Sequence, residues 1–139
     1  MDAVVEANVV VSALTSRRGA SSLVLQAAAT AKFRILATPP LFLEYEEVLK
    51  RPEHQLATGL SLDDIDRVLR DLAAVIVPVE VQFLWRPQLS DPDDEMVLEA
   101  AINGQARRIV TFNVKDFRPA ELFGIKAVTP QQFLEDLKS

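Results

Sequence analysis

The chain of 139 residues contains no cysteine, which excludes disulfides and thiolate metal sites and fits a cytoplasmic location. Long apolar runs are missing as well. The apolar stretches break off well short of the roughly 18 residues that indicate a membrane helix, so no membrane association is expected. The N-terminus has no basic region leading into a continuous apolar stretch and a small-residue cleavage site, so no signal peptide is expected. Basic residues are outnumbered, 15 Lys and Arg against 20 Asp and Glu, giving a formal charge of −5. That balance argues against a passive phosphate-binding module, which carries a basic footprint. It does not exclude a metal-dependent nuclease, whose clustered carboxylates lower the count while bound cations reverse the local field. Repeats, low-complexity tracts and linkers are also missing, so residues 1–139 read as one domain.

What is present is a series of short β-branched runs separated by helical patterns. Ala3 to Val11 is rich in valine and reads as a strand buried on both faces. It carries Glu6 and Asn8 two residues apart, a spacing that points both side chains the same way in a strand. A helix can begin within it, from Asn8 to Leu14, with Asn8 as its N-cap. Thr15 to Gly19 is a polar loop whose Arg17 and Arg18 either touch phosphates or belong to a solvated turn.

Helical spacing then covers Ser21 to Lys32, and Phe33 to Ala37 reads as a strand. Leu41 to Lys50 forms a helix with Leu41, Tyr45, Val48 and Leu49 on one side, and Pro40 suits its first turn. The only histidine, His54, falls in a loop. Ser61, followed by Asp63 and Asp64, caps a helix with Ile65, Val68, Leu69 and Leu72 on its apolar face. Val75 to Val79 is a third strand, and Pro78 places it at a sheet edge or a strand end. Glu80 to Ser90 is irregular, and its Phe83, Leu84 and Trp85 form either an exposed partner patch or aromatics tucked under a flap.

Asp91-Pro92-Asp93-Asp94 opens a helix that runs to about Asn103 with Gly104 as its C-cap. Arg108 to Thr111 is the fourth strand, Asn113 to Phe117 a loop or helical turn, and Lys126 to Val128 the fifth strand. Thr129, Pro130 and Gln132 start the last helix. Strands alternating with helices imply an α/β domain: a central parallel sheet of about five strands flanked by helices on both faces. In such folds ligands gather beyond the carboxyl ends of the strands.

Four acidic stretches reach that rim. Glu6 lies at the end of the first strand. Glu44 lies in an acidic run whose Glu46 and Glu47 suit a solvated helix face. Asp91, Asp93 and Asp94 are more acids than one helix start needs, and three carboxylates in four residues repel one another. Asp94 is the one aimed at the strand ends, with Asp91 or Asp93 left to cap. Thr111, Asn113 and Asp116 supply a hydroxyl, an amide and a carboxylate beyond the fourth strand. Turn chemistry alone accounts for Asn113 and Asp116 taken singly. Hard divalent ions prefer oxygen ligands, so the convergence of all four stretches points to a metal site.

At these residues the chain resembles the PIN-domain family, in particular its subgroup of toxins from bacterial type II toxin–antitoxin modules. Glu6-Ala7-Asn8 and Ser12-Ala13-Leu14 match the family's Asp-x-Asn and Ser-Ala-Leu. Glu44 to Leu49 matches Glu-Tyr-x-x-Val-Leu, and Asp91 to Asp94 matches Asp-Pro-x-Asp. Thr111 to Phe117 matches Thr-x-Asn-x-x-Asp-Phe, and Thr129 to Leu134 matches Thr-Pro-x-x-Phe-Leu. Five motifs in the family's order cover almost the whole chain.

The resemblance implies a parallel-sheet nuclease fold that cleaves RNA with Mg²⁺ or Mn²⁺. It implies a catalytic quartet of Glu6, Glu44, Asp94 and Asp116, with Glu6, Asp94 and Asp116 toward the metal and Asn8, Thr111 and Asn113 as polar support. Arg17, Arg18, Arg108, Lys115 and Arg118 are the candidates for contacts with the RNA backbone. A cognate antitoxin and a homodimer are expected on the same ground.

One departure stands out, because the family's first acid is normally Asp and here it is Glu6. Ala7 likewise replaces a Thr or Ser. A PIN fold that binds RNA or a partner protein without efficient cleavage is therefore the alternative. A phosphoryl-transfer enzyme or receiver domain fits less well. The phosphatases start with Asp-x-Asp where this chain has Glu6-Ala7-Asn8, and receivers need an acceptor Asp near Pro78 to Glu80.

Overall fold

The structure, a computed structural model, describes residues 1–82, 89 and 91–138. Its centre is the parallel sheet expected from the alternating pattern. The strands are β1 (Asp2–Val5), β2 (Arg34–Ala37), β3 (Ile76–Pro78), β4 (Arg108–Val110) and β5 (Lys126–Val128), in the order β3-β2-β1-β4-β5. β1 is central, with Ala3 opposite Ile35 of β2 and Val5 opposite Val110 of β4. Ala3, Val4 and Val5 are all fully buried although successive side chains point to opposite faces, so both faces of the sheet are covered. β3 is an edge strand ending in Pro78, where a missing N–H removes no ladder bond.

The helices are α1 (Ala7–Thr15), α2 (Ala20–Ala29), α3 (Pro39–Leu49), α4 (Pro52–Thr58), α5 (Leu62–Val75), α6 (Pro92–Gly104) and α7 (Pro130–Lys138). A 3₁₀ segment, Val114–Phe123, links β4 to β5. α6 lies over β1, β2 and β4, while α2 packs between α1 and α7. Thr129 and Gln132 close the expected capping box, and Ser61 caps α5 as expected, with Asp64 completing a second box there. Among the described residues, no helix is long and apolar enough to cross a membrane.

Four local expectations are corrected. The valine run is not one strand, because β1 ends at Val5, Glu6 is the extended N-cap of α1, and Val9 to Val11 are helical. Their β-branched preference is worth little beside complete burial in a helix packed on α2 and α3. Asn8 is accordingly a helical, exposed residue rather than the cap or a strand neighbour of Glu6. His54 lies in α4, where its Nδ1 meets Val48 O at 2.6 Å.

Gly104 is the last residue of α6, and Gln105 makes the left-handed turn at φ 54°. Space is tight at 104, since a Cβ there would stand 2.8 Å from Leu36 Cδ1 and 3.0 Å from Val79 Cγ2 and would force the Leu36 side chain to shift. Phe83 to Trp85, the candidate partner patch, lie outside the described residues.

Candidate active site

The site begins where β1 stops. Val5 makes its last ladder pairing with Val110, Glu6 N donates to Val110 O at 3.0 Å, and the chain turns into α1. Glu6, Ala7 and Asn8 therefore reach one cavity by a change of backbone direction rather than by strand alternation. The cavity is small, about 140 Å³, and lies beyond the carboxyl ends of β1 and β4. α3 supplies Leu41, Glu44 and Val48, the start of α6 supplies Asp91, Asp93, Asp94 and Val97, and the chain after β4 supplies Asn113 and Asp116.

Each wall has a local cause. Thr38 caps α3 by accepting from Leu41 N at 3.4 Å, and Pro39 and Pro40 fill its first turn. Burial of Leu41, Tyr45, Val48 and Leu49 then leaves Glu44 half-buried beside the cavity. At α6 it is Asp91 that caps, its Oδ1 accepting from Asp93 N at 2.9 Å. That leaves Asp94, one position further on, buried and turned inward. Behind the cavity Tyr45, fully buried, donates its hydroxyl to the carbonyl of Val5, the residue before Glu6.

Glu6 is only 6% exposed, and its carboxylate is held by Thr111 Oγ1, which donates to Oε1 at 2.9 Å. The same hydroxyl accepts from Asn113 N at 2.9 Å, so Thr111 fixes both the acid and the loop after β4. Burial pushes the Glu6 carboxyl up to about 7, opposed by the Thr111 bond and reinforced by Asp94 and Asp116. Asp94 rises to about 6, through burial first and then the charges of Asp91, Asp116 and Asp93. Asp94 helps to raise the Glu6 carboxyl while Glu6 draws Asp94 down, so the two acids are coupled. Glu44 is also raised, by burial and the charges of Asp93 and Glu47, with Arg51 pulling the other way.

The structure thus brings together Glu6, Glu44, Asp94, Asp116, Asn8 and Asn113 around one cavity, with Thr111 buried behind them. It does not bring the expected basic residues there. Arg17 and Arg18 are exposed between α1 and α2, and Lys115 and Arg118 are exposed on the 3₁₀ segment. Arg108 starts β4, at the opposite end of the sheet, and pairs with Asp136 at 3.1 Å. It is removed from the set of RNA contacts.

The cavity adds Asp91 and Asp93, and also Arg51, which lies past the end of α3 and so carried no helical-spacing signal toward Glu44. Among the described residues, no three His, Cys, Asp or Glu side chains form a ready-made metal cage. The donors present are nevertheless all oxygen and mutually repelling, which suits a hydrated hard cation held by a few carboxylates.

The PIN domain family model matches residues 2–115, and the chain belongs to that family. The match takes in Glu6, Glu44 and Asp94 and stops one residue short of Asp116. No curated protein matches the chain. The PIN domain is generally a nuclease fold whose members use divalent metals.

Proposed function

We propose that the protein is a Mg²⁺- or Mn²⁺-dependent endoribonuclease, acting as the toxin of a toxin–antitoxin pair. One observation carries the catalytic reading: carboxylates from four separate parts of the chain meet in one cavity at the strand ends, at the cost of raised Glu6 and Asp94 ionisations. Clustering of that kind is destabilising in itself and is characteristic of functional sites. The toxin role, a protein antitoxin and a homodimer rest on the motif resemblance alone.

Glu6, Asp94 and Asp116 would hold the cation. When bound, such an ion supplies a water acidic enough to attack a phosphodiester at neutral pH and charge to offset that of the phosphate. Thr111 keeps the Glu6 carboxylate turned into the cavity and biases it toward its charged form. Glu44, on the opposite wall and raised above its ordinary range, is placed to accept a proton from an attacking water. Asn8 and Asn113 offer amide donors at the rim.

The test is cleavage of single-stranded RNA by purified protein in Mn²⁺ and in Mg²⁺, with Asp94→Asn prepared in parallel. Activity that depends on metal and is lost in Asp94→Asn supports the reading. Equal residual activity in Asp94→Asn indicates a contaminating nuclease and removes the support. Glu6 motivates the second reading, an RNA- or protein-binding domain without efficient cleavage. Its extra methylene displaces the carboxylate by about an ångström, which can cost on the order of 100-fold in rate. An inert wild type alongside an active Glu6→Asp would establish that second reading.

A further inference from the structure

Against the six carboxylates that line the cavity stands one cation among the described residues, Arg51. Its position is built. Arg51 N donates to Val48 O at 3.3 Å at the end of α3, and its carbonyl accepts from His54 N and Gln55 N, each at 3.0 Å, at the start of α4. Pro52 excludes the helical region for the residue before it, and Arg51 takes φ −63° and ψ 137° as the N-cap of α4. The side chain thus leaves a rigid corner between two helices, four residues after Glu47 and seven after Glu44.

There Arg51 Nη2 donates to Glu47 Oε1 at 3.1 Å, in a pair whose side chains are 40% and 65% exposed. An ion pair so exposed is weak and exchangeable. It also uses one of the five N–H donors that a guanidinium carries. RNA is a polyanion, and its approach to a carboxylate-lined cavity needs a fixed positive charge at the rim. A phosphate suits the guanidinium fork better than a solvated carboxylate does.

We propose that Arg51 is the phosphate-holding residue of this site, its guanidinium exchanging Glu47 for a phosphodiester oxygen of the bound RNA strand. The proposal rests on the ribonuclease reading. Its rival is a positioning role, in which Arg51 acts only through its attraction for Glu44.

The experiment pairs steady-state cleavage of a fluorescent single-stranded RNA in Mn²⁺ with salt titrations of RNA binding by the Asp94→Asn protein. Arg51→Gln is expected to raise KM about tenfold with little change in kcat, the loss of one charge-assisted contact. In the Asp94→Asn background it should flatten the slope of log K against log salt by about 0.7. Arg51→Lys should restore the slope and part of KM, and Glu47→Gln, which frees the guanidinium, should lower KM. An unchanged KM and slope in a folded Arg51→Gln, with a reduced kcat, would overturn the proposal in favour of positioning and leave the ribonuclease reading intact. A wild type that neither cuts nor binds RNA would overturn both.

Discussion

The hydroxyl of Thr111 donates to Glu6 Oε1 across 2.9 Å, tying the end of β4 to the end of the neighbouring β1. The two residues are 105 positions apart in the chain. Thr111 is wholly buried and its oxygen also accepts from Asn113 N, so one hydroxyl holds both the acid and the loop after β4. Thr111→Val should cost about 1–3 kcal/mol, because the buried Glu6 carboxylate loses its donor and the part-buried Asn113 N–H loses its acceptor. It should also move the acid limb of the cleavage profile to higher pH, since the Thr111 bond is what lowers the Glu6 ionisation. Thr111→Ser should retain both properties. Urea denaturation and a pH–rate profile check the pair, and a Thr111→Val protein of unaltered profile would separate Thr111 from the acid.

Glu6 makes a prediction of unusual sign. Its carboxyl titrates at about 7 in the folded protein against 4.5 ordinarily, so the folded state binds the proton more tightly than the unfolded state. Stability of the metal-free protein is therefore greatest below pH 4.5 as far as this group is concerned, and declines as pH rises toward 7. Glu6→Gln keeps an acceptor for Thr111 and removes the charge. It should stabilise the metal-free protein at pH 8 by on the order of 2–3 kcal/mol, change little at pH 4, and abolish cleavage. Denaturant melts at the two pH values decide it, and destabilisation at pH 8 would contradict the electrostatic account of the cavity.

Metal affinity should follow the same ionisations. A cation binds deprotonated carboxylates, so protons compete for Glu6 and Asp94 below about 7 and about 6. Mn²⁺ binding followed by calorimetry should weaken by roughly tenfold or more between pH 7.5 and pH 5.5, with proton release on binding. Equal affinity at the two pH values would place the ion elsewhere.

Tyr45 tests the wall behind the site. Its hydroxyl is fully buried and donates to Val5 O, one residue before Glu6. Tyr45→Phe leaves that carbonyl without its partner and should cost about 1–3 kcal/mol in a denaturation experiment. A neutral substitution would show that the carbonyl finds another donor.

The fold was largely legible in the sequence because its strands are short β-branched runs between strong helix starts. Ser61 with Asp64 and Thr129 with Gln132 are local signals that tertiary structure had no reason to override. Val9 to Val11 read two ways, as the end of a valine strand and as part of a helix from Asn8 to Leu14, because residue type favours a strand; their burial against neighbouring helices decided for the helix. α4 escaped detection because none of its residues is buried, so it shows no apolar stripe. Glu6 was legible as an acid at the end of a strand and Asp94 as one of more acids than a helix start needs, whereas Glu44 and the quartet as a set rested on the family resemblance. Arg51 was not legible, since only the angle between α3 and α4 turns an ordinary surface arginine toward the cavity.

Glu6, Asp94 and Asp116 are proposed to hold one divalent cation between them. Anomalous diffraction at the manganese edge from crystals soaked in Mn²⁺ tests that proposal most directly. A peak is expected within the cavity, in coordination contact with these carboxylates and missing from crystals of Asp94→Asn. A fully ordered cavity with no peak, in protein that still cleaves RNA in Mn²⁺, would contradict it.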